Sequence, residues 1–310
     1  MLNVKISGFY DEYSGNFDEQ LAEVKKLGEK YMCPRTIDGK NISDYTAAEF
    51  IEKVKPRLDA SGVKFSSIGS PIGKVGVNDE EGFQKHLEKL KELIKICRAV
   101  DCKYIRIFSF FIDKDDKPER HASTVIRKLS AFLDAAKDTG VTLLHENEKH
   151  IYGDTDFRCL ELYGALAEKG LRLVYDASNF IQVGVDPRKA YELLKDYIVY
   201  FHIKDCDAES KVEYPVGLGD GGYKELFKEL DARGYDGFMT IEPHTFKYAL
   251  MRKGVYFTPL APLFMRNYYK AFKKLDRLLG KKAGDKVTRK EVFELQYNNL
   301  KTLLNEVNNG

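Results

Sequence analysis

The sequence predicts an α/β protein folded as a (β/α)8 TIM barrel with an extra C-terminal helical extension. Three observations carry that prediction. Short β-rich runs alternate with amphipathic helical stretches, eight such runs occur, and none leads into the Gly-x-Gly-x-x-Gly turn of an open dinucleotide-binding sheet. A chain of 310 residues with 43% hydrophobic content can bury one large core, so residues 1–310 are expected to form a single domain.

In chain order the expected strands are NVKISGF (3–9), KYMCPRT (30–36), VKFSSIG (63–69), KYIRIFSFF (103–111), VTLLHEN (141–147), LRLVYDA (171–177), VYFHIKD (199–205) and GFMTIEP (237–243). Between them, AAEFIEKVKPRLDASG, FQKHLEKLKELIKICRAV, TVIRKLSAFLDAAKDTG and YKELFKELDARG carry apolar residues at helical spacing, and three of the four close on glycine. Asp154 is expected to cap the helix that starts in DTDFRCLELYGALAEKG. VGLGDGG (216–222) has the look of a phosphate cradle but lacks the Gly-Lys-Ser/Thr ending, and reads as a turn into the next helix. Residues 245–310 break the regularity with an aromatic-rich connection, a basic helical stretch and a final helix. One helix closes a barrel, so the surplus is expected to be a lid over the mouth, a surface for another subunit, or helices packed beneath the barrel.

Composition narrows the function. Lys and Arg total 50 against 48 acidic residues, which leaves no electrostatic footprint for a nucleic acid or a membrane surface. The N-terminus lacks the basic start and long apolar core of a signal peptide, so a soluble, cytoplasmic protein is expected. Cys33, Cys97, Cys102, Cys159 and Cys206 form no Cys-x-x-Cys pair and are odd in number, which argues for reduced, structural thiols.

In a barrel of this kind chemistry sits at the C-terminal ends of the strands. Glu146, Asp176, His202 and Glu242 end four consecutive strands, each facing inward with the residue two before it: Leu144, Val174, Tyr200 and Thr240. Three bare carboxylates and an imidazole cannot share a few ångströms without losing charge, whereas a divalent cation compensates them. Oxygen ligands with one nitrogen suit Mn2+ or Mg2+, with Zn2+, Co2+ or Fe2+ as further options. One layer above, alternation brings Glu148, Ser178, Lys204 and His244 to the mouth. His145 adjoins a ligand, and regular alternation turns it away from the centre.

HENE, YDASN, HIKD and TIEP, which hold those four positions, resemble the metal-binding segments of the sugar phosphate isomerase/epimerase superfamily, the xylose isomerase-like barrels. The likeness spans about residues 1–244. Within that group, CPRT (33–36), SIGSPIGK (67–74), RIFSFF (106–111) and HENEKHIYGDT (145–155) are most similar to the catalytic subunit of bacterial C-glycoside deglycosidases. The resemblance implies a lyase with manganese as its usual metal, paired with a small β-sandwich subunit. Such an enzyme cleaves the carbon–carbon bond between a 3-oxo sugar and an aromatic aglycone by removing the proton next to the carbonyl. It also implies His145 as general base. Lys204, one layer above the ligands, is a candidate for binding a sugar oxygen or the departing phenolic group, with an ion-paired strand end as the alternative. Arg35, Lys74, Ser109, Glu148, Asn179 and His244 are candidate substrate contacts, and Phe108, with Phe110 and Phe111, a candidate stacking surface for the aglycone.

Epimerases of the superfamily carry a glutamate, a histidine and an arginine where this chain has Tyr152, Asn179 and Ala208, departures that favour a one-base elimination. The alternatives are a sugar isomerase or epimerase, an inosose-type dehydratase, or a metal-bearing barrel that binds a sugar or a partner without turnover. An endonuclease of the same fold needs many histidines for three metals, and six in the whole chain are too few.

Overall fold

The computed structural model describes residues 1–310, the Phe246 side chain excepted. Each β-rich run overlaps a shorter strand, β7 starting one residue ahead of its run: β1 (Lys5–Gly8), β2 (Tyr31–Met32), β3 (Lys64–Phe65), β4 (Tyr104–Ile107), β5 (Thr142–Glu146), β6 (Arg172–Asp176), β7 (Ile198–Ile203) and β8 (Phe238–Ile241). Six form one continuous parallel sheet in the order β1-β8-β7-β6-β5-β4, and β2 pairs with β3. Isolated backbone bonds complete the ring. Cys33 N–H donates to Gly8 O at 3.0 Å, Ile68 N–H to Tyr104 O at 2.9 Å, and Arg106 N–H to Ile68 O at 3.0 Å. The ladder is thin at β2 in part because Pro34 has no N–H to add to it. The result is the α/β TIM barrel that the alternating pattern predicts.

The outer helices are α1 (Phe17–Lys26), α2 (Ala47–Lys53), α3 (Lys55–Ser61), α4 (Glu80–Ala99), α5 (Ala122–Ala136), α6 (Asp156–Leu166), α7 (Ala177–Gln182), α8 (Pro187–Leu194) and α9 (Tyr223–Ala232). The stretch 47–62 is two helices. Pro56 cannot donate and its ring crowds the carbonyl four residues back, so the chain breaks at Val54 and restarts with the proline in the first turn of α3. Thr155, not Asp154, caps α6 by accepting the Arg158 N–H, while Asp154 pairs with the Arg158 side chain. Among the described residues no helix is long and apolar enough to cross a membrane.

Beyond β8 lie α10 (Phe246–Phe257), α11 (Ala261–Phe264), α12 (Arg266–Leu279) and α13 (Arg289–Asn309). α13 fills the eighth place in the outer ring. Its Phe293 packs on Tyr10 with ring centroids 4.9 Å apart, and Gln296 donates to Ile203 O at 2.9 Å. The other three form a second small core with the hairpin Asp205–Cys206/Glu213–Tyr214 that follows β7, using Val212, Tyr214, Tyr248, Phe272 and Leu275. Buried Arg252 holds that core together, with Nε on Asp276 at 2.6 Å and Nη1 on Asp285 O at 2.8 Å. The surplus helices therefore stand beside the mouth rather than beneath the barrel. Their outer face leaves Leu250, Phe257, Leu260, Leu263 and Phe264 exposed.

The loop 216–222 wraps a carboxylate of its own chain. Asp205, fully buried, accepts N–H bonds from Cys206 (2.9 Å), Gly217 (2.9 Å), Gly219 (3.1 Å) and Gly221 (2.9 Å). A Cβ at Gly219 would overlap the Asp205 carboxylate, so the glycines are there for close approach. An amide in place of that carboxylate turns a donor toward donors. Asp205→Asn is expected to lower unfolding free energy by ~1–3 kcal/mol in urea titrations, while unchanged stability would show that the N–H groups find other acceptors.

Candidate metal centre at the barrel mouth

Strand register brings the four polar strand ends together. His202 lies opposite Asp176 on β6 and opposite Thr240 on β8. Glu146 is the last residue of β5, and Glu242 follows β8 with its N–H bonded to Ile203 O at 3.1 Å. One ligand atom from each of the four lies within 4.8 Å of the other three. All are buried, and Leu144, Val174 and Tyr200 form an apolar floor below them. The His202 nitrogen turned into the cluster is Nδ1, 2.7 Å from Glu146 Oε1 and 3.3 Å from Glu242 Oε2. The edge of its ring is set by Phe9, centroids 5.2 Å apart at 83°.

Each carboxylate commits one oxygen to the protein and leaves the other without a hydrogen bond. Asp176 Oδ1 caps α7 through the Asn179 N–H at 2.9 Å, Glu146 Oε1 meets His202, and Glu242 Oε1 meets Arg35 and His244. Asp176 Oδ2, Glu146 Oε2 and Glu242 Oε2 are buried with no hydrogen-bond partner among the described residues. Lys204 Nζ stands 3.1 Å from Asp176 Oδ2 and Arg106 Nη1 3.1 Å from Glu146 Oε2, charge contacts without hydrogen-bond alignment. Burial, aided by Glu146 and Glu242 against Lys204, pushes Asp176 up to about 7. Burial acts the same way on Glu146, but His202 and Arg106 outweigh it and hold that carboxyl down to about 2. Three orphaned carboxylate oxygens converging with an imidazole nitrogen fit a divalent cation.

The sequence profile of the xylose isomerase-like TIM barrel family matches residues 21–260. The chain belongs to that family. Solved folds of similar shape include the 3-keto-D-glucoside 4-epimerase YcjR from E. coli, 16% identical over 78% of this chain and 92% of that one, TM-score 0.62. A D-allulose 3-epimerase from Methylomonas sp. is 15% identical over 98% and 99%, TM-score 0.67. The IOLI protein with a bound zinc atom is 17% identical over 98% and 99%, TM-score 0.64. Among curated proteins, the uncharacterized MJ1311 of Methanocaldococcus jannaschii is 25% identical over 133 residues, 41% of this chain and 45% of that protein. The chain thus spans under half the length of the curated relative it matches.

Around the centre of this xylose isomerase-like barrel, the remaining candidates fall into three groups. Arg35 sits at the mouth, with Nη1 on Glu242 (3.2 Å), Nη2 on Glu12 (3.2 Å) and Nε on Asp11 (3.0 Å). His244 Nε2 lies 3.1 Å from Glu242 Oε1; burial and Lys204 push its pKa down, but Glu12, Glu213 and Glu242 carry it up to about 9. Lys74 pairs with Glu148 at 3.0 Å and lies over Phe108, 4.2 Å from its centroid. Burial raises the Glu148 pKa, yet Lys204 and Lys74 together hold it below the usual carboxylate range. Phe108 also carries Arg106 at 4.9 Å and is only 1% exposed, so it is a platform for cations and not an open stacking face. Asn179 donates to Asn147 O at 2.8 Å and locks the ends of β5 and β6 beside the ligands.

His145 and Ser109 form the third group, apart from the cluster. The His145 ring is fully enclosed, its Nε2 3.0 Å from Ser109 Oγ, which also accepts the Gly153 N–H at 2.7 Å. Its Nδ1 is buried without a partner, and burial draws the ring's pKa down to about 4 against the pull of Glu146, leaving a neutral imidazole near pH 7. Ser178 lies in α7 with its hydroxyl toward Gln182 Nε2 at 3.4 Å rather than at the mouth. Sequence reasoning passes over Arg106, Glu12, Phe9 and Asn147. Only Arg106 leaves a hint, as a permanent charge at an inward-facing position of a barrel strand.

Mn2+ is expected to raise the unfolding temperature of the metal-stripped protein, with ~2.7 kcal/mol of stabilisation at a free concentration one hundred times Kd. Glu146→Gln and Glu242→Gln are each expected to remove most of that shift in thermal melts. Retention of the full shift in both variants rules out this centre.

Proposed function

We propose that this barrel is a metal-dependent lyase acting on an oxidised sugar, and that it cleaves 3-oxo C-glycosides between the sugar and its aromatic aglycone. The three unpartnered carboxylate oxygens facing His202 carry the reading. A divalent cation held by Glu146, Asp176, His202 and Glu242, manganese first, supplies positive charge where negative charge develops on substrate oxygens. His145 Nδ1 takes the proton from the carbon next to the carbonyl. With Nε2 engaged by the Ser109 hydroxyl, Nδ1 is the ring nitrogen left to accept it. Because Gly153 closes over the ring, this reading requires segment 149–153 to move aside when substrate enters, with Asn147 staying in place between β5 and β6. Lys204, held beside Asp176, meets the phenolic oxygen as the aglycone leaves with the bonding electrons, and the ring carbon freed from the sugar takes up a proton, so the proton lost by the sugar is matched by one gained by the aglycone.

Arg35 and the Lys74–Glu148 pair flank the opening and are proposed to bind sugar hydroxyls. Support for an oxidised sugar comes from the fold likeness to an enzyme that acts on a 3-keto-D-glucoside. That likeness, with the allulose 3-epimerase fold, also favours a second reading as an isomerase or epimerase. In it Glu148, 15% exposed at the rim, replaces the enclosed His145 as base. A small β-sandwich subunit is proposed to seat on the outer face of α10–α12. Residues 246–282 carry ten lysines and arginines against one aspartate, so the contacting surface of that subunit is expected to be acidic around an apolar centre.

Incubation of the Mn2+-loaded protein, with and without the co-expressed small subunit, with a 3-oxo C-glucoside is expected to release free aglycone. His145→Ala should slow release by about 100-fold or more, with Glu148→Gln within about tenfold of the parent. The opposite ranking moves the base to Glu148. Return of an epimerised sugar with the aglycone still attached selects the second reading, and binding without any product removes the enzyme reading altogether.

A further inference from the structure

Arg106 is a buried permanent charge that the four-ligand set does not need. The residue is 5% exposed, a placement that costs stability unless specific partners offset it. Those partners are built in. Nη2 donates to Gly69 O at 3.1 Å, Nε reaches Ser70 O at 3.4 Å, and the rings of Phe9 and Phe108 lie 5.0 and 4.9 Å from the guanidinium carbon. Nη1 is then aimed at Glu146 Oε2, 3.1 Å away, with Glu242 Oε1 at 4.0 Å.

The neighbouring cations are spent differently. Arg35 reaches Glu242 at 3.2 Å but is shared with Asp11 and Glu12, whose two charges exceed its own, and Lys74 pairs with Glu148 outside the cluster. Among the described residues Arg106 and Lys204 make ion pairs only with cluster carboxylates. With Arg35 and His244 set against their own rim partners Asp11, Glu12 and Glu213, Arg106 and Lys204 among three carboxylates and a neutral His202 leave a formal charge of minus one, which a divalent cation turns to plus one. Without Arg106 the loaded centre is neutral. Like charges at this separation repel, so a guanidinium here weakens metal binding; its compensating effect must lie elsewhere.

We infer that Arg106 sets the charge of the loaded centre, giving up metal affinity so that the mouth favours a substrate that is, or becomes, an anion over a neutral polyol. A keto sugar losing a proton next to its carbonyl is of that class. The inference rests on the metal-centre part of the proposed function and not on carbon–carbon cleavage. Arg106 acts through Glu146 and the field at the mouth, and is a positioning residue.

Calorimetry separates the two roles without turnover. Mn2+ is titrated into metal-stripped protein, then oxalate, a planar dianion, and ethylene glycol, a neutral diol, into the loaded form. Arg106→Met is expected to bind Mn2+ about threefold or more tightly and oxalate about tenfold more weakly, with the glycol unchanged. Arg106→Lys keeps the charge without the fork and should hold oxalate within about threefold of the parent. If Arg106→Met does not fold, as thermal melts will show, Arg106→Gln supplies a neutral donor for the same reading. Unchanged oxalate affinity in the neutral variants overturns the inference whatever happens to Mn2+. So does an Arg106→Lys variant that loses oxalate as far as Arg106→Met does, since Arg106 is then a strut for Glu146 alone. Failure of the parent protein to bind Mn2+ appears in the first titration and defeats the metal centre itself.

Discussion

Holding Glu146, Asp176 and Glu242 out of water within one small volume is the constraint on which the rest of the structure depends. Like charges brought together in a buried mouth must be fixed, compensated or protonated. The barrel fixes them at the ends of neighbouring strands, where the sheet tolerates little movement, and gives one oxygen of each a protein partner. Asp176 serves twice in this way, as a helix cap through Oδ1 and as a centre-facing group through Oδ2. Asn147 and Asn179 tie the backbones of β5 and β6 so that neither carboxylate can retreat. Compensation comes from Lys204, Arg106 and Arg35, each on a different strand end or loop.

The barrel was legible because its information is local. Each strand is an apolar run of period two, and each site residue ends such a run, so facing and order follow from counting along one segment. The parts that were not legible are made by contacts distant in sequence. Arg106 owes its character to Phe9, Gly69 and Glu146, which come from three other strands. The enclosure of His145 depends on Gly153, where any side chain would overlap the imidazole. Its placement beside a ligand is plain in the sequence; the segment that covers it is not. The standing of α10–α12 beside the mouth depends on a hairpin some thirty residues earlier, whose Val212 and Tyr214 complete their core. The helix pattern of the extension says that it has an apolar face but not what that face meets.

The glycine-rich loop after β7 bears on which anions this barrel mouth can hold. In many barrels the loops after the seventh and eighth strands cradle a phosphate with backbone N–H groups near a helix start. Here Gly217, Gly219 and Gly221 present such a set, at the entrance to α9, and Asp205 already fills it. The chain has tied its own carboxylate into that N–H set, three residues past His202. The N–H groups of Gly217, Gly219 and Gly221 are therefore spent inside the chain and are not free for an anion from solution.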